Sequence, residues 1–168
     1  DCLLWQRAKA PFDGQWSLPR GPLGATERLG TSASRHLAAK GYPITVATPG
    51  NDVGEILRVV RRLGPDFDQV VLAGYPPFVK GVVDAGIEPG VDWAAYRIKL
   101  ILAGEVFSEQ WRDLVAARAG ITDPVSGVAS LYGTADAGVL GNETALSVRI
   151  RRFLADRPEV ATKLFGDS

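Results

Sequence analysis

The amino-acid sequence predicts an α/β fold, built as a partial doubly wound, mostly parallel sheet with flanking helices. Two patterns indicate this class. Short, nearly all-apolar runs alternate along the chain with longer segments of helical periodicity. Apolar strands of this kind are typical of a sheet that helices cover on both faces. Because each strand is followed by a helix, we expect parallel strands joined by right-handed crossovers.

The predicted strands are short apolar runs, at residues 2–6, 44–47, 70–73, 98–103 and 128–132. The predicted helices follow them, at about residues 31–40, 52–63, 76–85, 109–119 and 145–155. Asn51 or Asp52 can cap the second helix and Ser108 the fourth, because short polar side chains accept hydrogen bonds from the first free backbone N–H groups. Glycine and proline end the helices at Gly41 and at Gly64. The regular part of the chain therefore begins near Gly41.

The composition limits the expected partners. The chain has 168 residues, and its 19 basic and 19 acidic side chains balance, which gives no reason to expect a nucleic acid or an anionic membrane as a partner. Without a long apolar run or a signal-peptide pattern, we expect a cytoplasmic protein. Because the chain contains no methionine and starts inside an apolar run, we interpret it as a fragment. A partial sheet leaves strand edges and apolar faces uncovered, so we also expect self-association.

Ligands of open α/β sheets bind beyond the carboxyl ends of the strands. Here those ends carry Tyr75, the pair Gly104 and Glu105, and the segment 132–136. In that last segment a glycine can admit a ligand to the backbone, a hydroxyl can donate to a phosphate, and a carboxylate can hold magnesium. The alternative is a strand followed by a turn, in which Thr134 and Asp136 bond only local backbone.

Several motifs in the order seen here resemble the adenylate-forming superfamily of acyl-CoA synthetases, peptide-synthetase adenylation domains and luciferases. Residues 41–168 are most similar to its phenylacetate–CoA ligase-like group. Segment 132–136 stands where that superfamily has Tyr-Gly-x-Thr-Glu, and residues 103–105 match its Gly-Gly-Glu segment. The phrases at 48–50, 74–78 and 104–109 are also similar to this group.

The resemblance implies a reaction in which ATP and a carboxylic acid form an acyl-adenylate that coenzyme A captures as a thioester. It implies ATP and magnesium as cofactors, coenzyme A as co-substrate, and a nucleotide site made of Gly104, Glu105, Tyr132, Gly133, Thr134, Ala135 and Asp136. Gly104 and Glu105 would flank the adenine, and Tyr132 would stack on it. Thr134 or Ala135 would lie near the α-phosphate, and Asp136 would stand for the magnesium-binding glutamate.

This sequence departs from the family pattern. Ala135 occupies the usual threonine position, and Asp136 is one methylene shorter than glutamate. The family's phosphate loop does not precede Gly41, and neither its ribose-binding segment nor its small carboxyl-terminal domain follows. We therefore expect residual adenine-nucleotide affinity without formation of acyl-adenylate, since phosphoryl chemistry depends on those positioned charges.

The first forty residues resemble a degenerate Nudix box instead. Gly21, Glu27, Arg35 and Leu37 keep the spacing of that box, but His36, Ala39 and Lys40 replace its glutamates. Magnesium-dependent hydrolysis needs those carboxylates, so we expect none. The alternative function is a Nudix-like nucleotide-binding sensor without hydrolase activity. On this interpretation two pieces, 1–40 and 41–168, meet without a linker.

Two further groups of residues have a structural explanation, and for a third two explanations stay open. Trp93 and Trp111 are expected to pack against the sheet. The basic run of Arg149, Arg151 and Arg152 is expected to form a solvated helix face rather than a phosphate site. The turn at 75–78 either lines an acyl pocket or simply starts a helix with a buried aromatic side chain.

Overall fold

The computed structural model describes residues 2–6, 29–134 and 136–166. These residues form one six-stranded sheet, with α-helices packed on both faces. The strands are β1 Cys2–Gln6, β2 Ile44–Ala47, β3 Gln69–Gly74, β4 Lys99–Ala103, β5 Val128–Thr134 and β6 Gly138–Asn142. The helices are α1 Leu29–Ala39, α2 Val53–Leu63, α3 Pro76–Ile87, α4 Glu109–Arg118, α5 Pro124–Gly127, α6 Ala145–Ala155 and α7 Pro158–Phe165. The predicted fold class is confirmed.

The strand order across the sheet is β2-β1-β3-β4-β5-β6. β3, β4 and β5 are adjacent and parallel, whereas β1 is antiparallel to both β2 and β3, and β6 is antiparallel to β5. Of the six described strands, β2, β3, β4 and β5 therefore run in the same direction. The crossovers β3-α3-β4 and β4-α4-α5-β5 place their helices against the sheet and bring all three strand ends to one edge.

The helix boundaries follow from local chemistry. The Asp52 side chain accepts a hydrogen bond from the Glu55 backbone N–H at 2.9 Å, and Ser108 caps α4 in the same way. Thr144 caps α6 reciprocally with Ser147, since each side chain accepts from the other's backbone N–H. These caps explain why the predicted first residues of α2, α4 and α6 agree closely with the structure.

Three elements were not predicted. β6 carries two glycines and no alternating apolar pattern, so its sequence lacks the usual strand signal. α5 has only four residues, and α7 is a short helix that starts at Pro158. The position of β1 inside the sheet was also not predicted, because strand order depends on contacts far apart in the sequence.

The core has two parts, one on each face of the sheet. On one face, α2, α3 and α4 pack against strand residues that include Val70, Leu100 and Val128. On the other face, Leu37 of α1 packs with Val71 of β3 and its neighbours. Residues before Lys40 thus share a sheet and a core with residues after it. The proposed division of the chain at residue 40 stays a prediction.

The two tryptophans lie as expected. Trp93 is buried in the first part of the core, and its Nε1–H donates to the Val83 carbonyl at 3.0 Å. Its ring lies so close to Gly86 that a Cβ there would stand 2.3 Å from a ring carbon. Trp111 is half-buried against the same core and contacts Phe107, with ring centroids 4.9 Å apart.

Some predictions fall on residues outside the described ranges. Gly21 and Glu27 of the Nudix-like spacing lie there, and so does Ala135 of the nucleotide-site prediction. Within the described part of the chain, no helix is both long enough and apolar enough to cross a membrane.

Candidate functional site

The carboxyl ends of β3, β4 and β5 meet at one edge of the sheet. Gly74 pairs with Leu102, and Ala103 pairs with Leu131, so the residues that follow each strand end lie side by side. This arrangement brings together three of the predicted positions, at Tyr75, Gly104 and Tyr132. The three strands are parallel, so their carboxyl ends lie at the same edge, as the predicted ligand site requires.

Tyr75 and Glu105 are joined across two of these loops. The Tyr75 hydroxyl donates a hydrogen bond to Glu105 Oε2 at 2.5 Å. This hydrogen bond, together with the nearby negative charge, raises the pKa of the Tyr75 hydroxyl above its usual value of about 10. The pair fixes the direction of the Glu105 carboxylate at the exposed edge of the sheet.

Gly104 adopts a backbone conformation that favours glycine, with φ of 100°. A Cβ at this position would lie 3.4 Å from Cδ2 of the Tyr75 ring. The glycine therefore does two things: it allows the chain to turn after β4, and it leaves room beside the Tyr75 ring.

Tyr132 is the most exposed aromatic side chain at this edge, with 70% of its surface accessible. A tyrosine that is this exposed contributes little to the core and offers a ring face for stacking. It belongs to β5, which is held between β4 and β6, so its backbone is fixed on both sides.

Gly133 has a structural explanation that the sequence did not reveal. A Cβ there would stand 2.2 Å from the carbonyl oxygen of Gly138 in β6, and the pairing register shifts between Tyr132 and Gly133. The close approach of the two strands therefore requires a glycine, whether or not a ligand binds.

Thr134 makes the local backbone contact that is the alternative to ligand binding. Its Oγ1 accepts a hydrogen bond from the Ala137 backbone N–H at 3.0 Å, which is a local turn contact. The hydroxyl hydrogen remains able to donate elsewhere. Asp136 lies in the same turn with an exposed side chain.

The described residues hold no group of three or more His, Cys, Asp or Glu side chains that could bind a metal ion by themselves. Magnesium, however, is commonly held by one or two carboxylates together with the phosphates of its ligand. Asp136 supplies one exposed carboxylate at this edge.

The turn at 75–78 mainly starts a helix. Pro76 is buried at the first position of α3, and Phe78 packs partly against the core. Tyr75 is therefore the aromatic residue of this turn that remains exposed, with Pro77 exposed beside it.

A network of charged residues that joins α4 to the β5–β6 hairpin was not predicted from the sequence. Arg112 of α4 is fully buried and donates to the carbonyl of Val128, to Glu109 at 3.0 Å and to Glu143 Oε2 at 2.7 Å. Glu143 also accepts from the Ser130 backbone N–H at 3.1 Å. The network thus holds both strands of the β5–β6 hairpin, which carries Tyr132. Only the spacing of Glu109 and Arg112 could have indicated part of it.

The basic run on α6 is only in part the solvated face that the sequence predicts: Arg149 is exposed, but the other two arginines form ion pairs. Arg152 donates to Glu109 at 2.8 Å and to Asp113 at 2.6 Å, and Arg151 binds both Glu109 and Glu143. Two of its arginines therefore attach α6 to α4 and to the end of β6. Their charges are neutralised by Glu109 and Asp113 of α4, which lie about forty residues away in the sequence, and by the nearer Glu143.

In comparisons with known proteins, no family model matches this chain, and no curated protein sequence matches it.

Proposed function

We propose that residues 41–168 form part of the large domain of an ATP-dependent, adenylate-forming acyl- or aryl-CoA ligase. In this proposal the shared edge of β3, β4 and β5 binds the adenine nucleotide. The observation that supports it best is the juxtaposition of the Tyr75–Glu105 pair, the open backbone at Gly104 and the exposed ring of Tyr132 on adjacent strand ends.

Each group has a distinct part in the proposed binding. The Tyr132 ring stacks on the adenine, and the missing side chain at Gly104 lets the base approach the backbone. The Glu105 carboxylate, held by Tyr75, is an acceptor for the amino group of the base. These contacts bind the adenine base. The phosphates are bound by the turn that follows β5.

The phosphates would lie toward Thr134 and Asp136. The Thr134 hydroxyl would donate to a phosphate oxygen, and Asp136 would hold a magnesium ion that also binds the phosphates. In the parent reaction a carboxylate attacks the α-phosphorus of ATP, which releases pyrophosphate and gives the acyl-adenylate. The thiol of coenzyme A then displaces AMP and forms the thioester.

The Nudix-like sensor remains the second prediction. The described residues supply no observation in its favour, because Glu27 lies outside them. ADP-ribose is the ligand that separates the two functions, since it contains the same adenine but belongs to the Nudix substrate class.

The test is the affinity of the chain for MgATP, measured by isothermal titration calorimetry with Tyr132→Ala as the variant. Losing a stacking partner should weaken binding roughly five- to hundredfold, on the basis of about 1–3 kcal/mol per stacked base. Leu140→Ala is the matched control, because Leu140 is also a large exposed side chain of the same hairpin. Equal MgATP affinities of the two variants would contradict the proposal. So would ADP-ribose that binds more tightly than MgATP with an affinity that Tyr132→Ala does not change.

A further inference from the structure

The outer surface of α6 and α7 is unusually apolar. Leu146, Ile150 and Phe153 follow one another at spacings of four and three residues, so they form a single stripe on α6. Each has about half of its surface or more exposed to solvent. The buried side of the same helix is anchored by Val148.

α7 continues this apolar surface. Leu164 and Phe165 are 64% and 76% exposed, and they border a groove whose other wall is Ile150 and Phe153 of α6. Leu154 also lines the groove. We call these five exposed residues (146, 150, 153, 164 and 165) the α6–α7 face. Such a concentration of large apolar side chains on a helical hairpin is typical of an interaction surface.

We propose that the α6–α7 face binds the same face of a second copy of this chain. Two helical hairpins related by a twofold axis would then form a four-helix packing, with the stripe of each α6 against the groove of the other copy. The proposal is independent of the nucleotide site.

The distribution of charge supports a second copy as the partner. Exposed side chains of both signs lie on these two helices and on the link between them: Arg149, Arg157 and Lys163, and Asp156 and Glu159. The Arg157 guanidinium lies 4.1 Å from the centroid of the Phe153 ring. Because the chain as a whole has a formal net charge of zero, two copies do not repel each other at neutral pH. A strongly acidic or strongly basic partner would gain no net electrostatic attraction from charges of both signs.

The size of the face predicts a weak dimer. Five side chains with on the order of 100 Å² of exposed apolar surface each would bury about 500 Å² per copy. The total of about 1,000 Å² lies at the lower limit of specific interfaces. We therefore expect a dissociation constant in roughly the micromolar to hundred-micromolar range, so dimers form only as concentration rises.

β6 is the competing surface. It is an edge strand of the described sheet, it contains neither a charged residue nor proline, and Leu140 on it is exposed. An unprotected edge of this kind can pair with another copy. Because β6 has only five residues and two glycines, we favour the helical face, and the variants below separate the two surfaces.

The test is sedimentation velocity on the full chain from about 5 to 500 µM, with three leucine-to-glutamate variants. Leu164→Glu changes the α6–α7 face, Leu140→Glu changes the β6 edge, and Leu114→Glu changes an exposed leucine of α4 as the matched control. Far-UV circular dichroism verifies that each variant is folded. We expect a concentration-dependent dimer whose dissociation constant rises at least tenfold in Leu164→Glu and changes less than twofold in the other two.

Two results would overturn the proposal. The chain could remain monomeric over the whole range, or Leu140→Glu could abolish association while Leu164→Glu leaves it intact. Should Leu164→Glu disturb folding, Phe165→Glu provides the same charge at the neighbouring exposed position.

Discussion

Arg112 and Glu143, which lie 31 residues apart in the sequence, form an ion pair in which almost no side-chain surface is exposed. Their Nη2 and Oε2 atoms are 2.7 Å apart, and the exposed fractions of the two side chains are 1% and 9%. A buried charge of this kind depends on its partner, because water cannot replace the lost interaction. The pair therefore makes the end of β6 dependent on α4.

The first prediction concerns this ion pair. Glu143→Gln leaves the Arg112 charge with one carboxylate fewer in a buried site, and we expect a loss of about 2–5 kcal/mol in the free energy of unfolding. Urea denaturation followed by circular dichroism measures it. Glu55→Gln is the control, since Glu55 binds Arg58 in an exposed pair on α2 and its loss should have little effect. Equal stabilities of the two variants would show that the buried pair does not support the fold.

The second prediction concerns acid stability. Burial alone would raise the pKa of Glu109, but hydrogen bonds from Arg152, Arg112 and Arg151 and the charge of Arg112 hold it below its usual value of about 4.5. A carboxylate whose pKa is lowered by folding stabilises the folded state above its unfolded pKa, and that contribution is lost as pH falls through the folded pKa.

We therefore expect stability to decline as pH falls below about 4.5, with a shallower decline in Glu109→Gln. Unfolding free energies measured between pH 3 and pH 7 give the two slopes. Parallel slopes for the original chain and the variant would mean that Glu109 is not the group responsible. Asp136→Asn is a suitable control, because Asp136 is an exposed carboxylate of the turn after β5.

The regular part of the fold could be predicted because its determinants are local. Strands β3 and β4 are nearly continuous apolar runs, and the caps at Asp52 and Ser108 fix where their helices begin. The general place of the candidate site followed from strand direction alone. These features depend on residues close together in the sequence, which a single chain displays directly.

The remaining features depend on distant contacts. Neither the position of β1 between β2 and β3 nor the pairing of Arg112 with Glu143 has a local signal. The same holds for Gly133, whose role is set by the Gly138 carbonyl on the returning strand. The sequence places that glycine in a predicted ligand site, and nothing in it indicates the strand β6 that explains the glycine.

The third prediction concerns the Tyr75–Glu105 hydrogen bond. Because the Glu105 carboxylate raises the pKa of the Tyr75 hydroxyl, Glu105→Gln should shift the ionisation of that tyrosine toward lower pH. Ultraviolet absorbance titration between pH 8 and pH 12 detects the phenolate, and Tyr75→Phe identifies which part of the signal belongs to Tyr75. A Tyr75 ionisation that is unchanged in Glu105→Gln would show that the two side chains do not interact in solution.

The fourth prediction separates structure from ligand binding at Gly133. A Cβ at Gly133 would collide with the Gly138 carbonyl, whereas a Cβ at Gly141 in the same hairpin meets no atom within 4 Å. Overpacking of this kind costs about 1–3 kcal/mol, so Gly133→Ala should be less stable than Gly141→Ala by roughly that amount. Thermal and urea unfolding of both variants measure the difference.

MgATP affinity completes the comparison at Gly133. Suppose that Gly133 serves only the contact between β5 and β6. At temperatures where Gly133→Ala is folded, its affinity for MgATP should then fall only because the hairpin and Tyr132 are displaced. A variant with unchanged stability and strongly reduced affinity would instead assign Gly133 to the ligand. In that case the hairpin must move the Gly138 carbonyl oxygen away from the added Cβ, which would otherwise lie 2.2 Å from it, without a loss of stability.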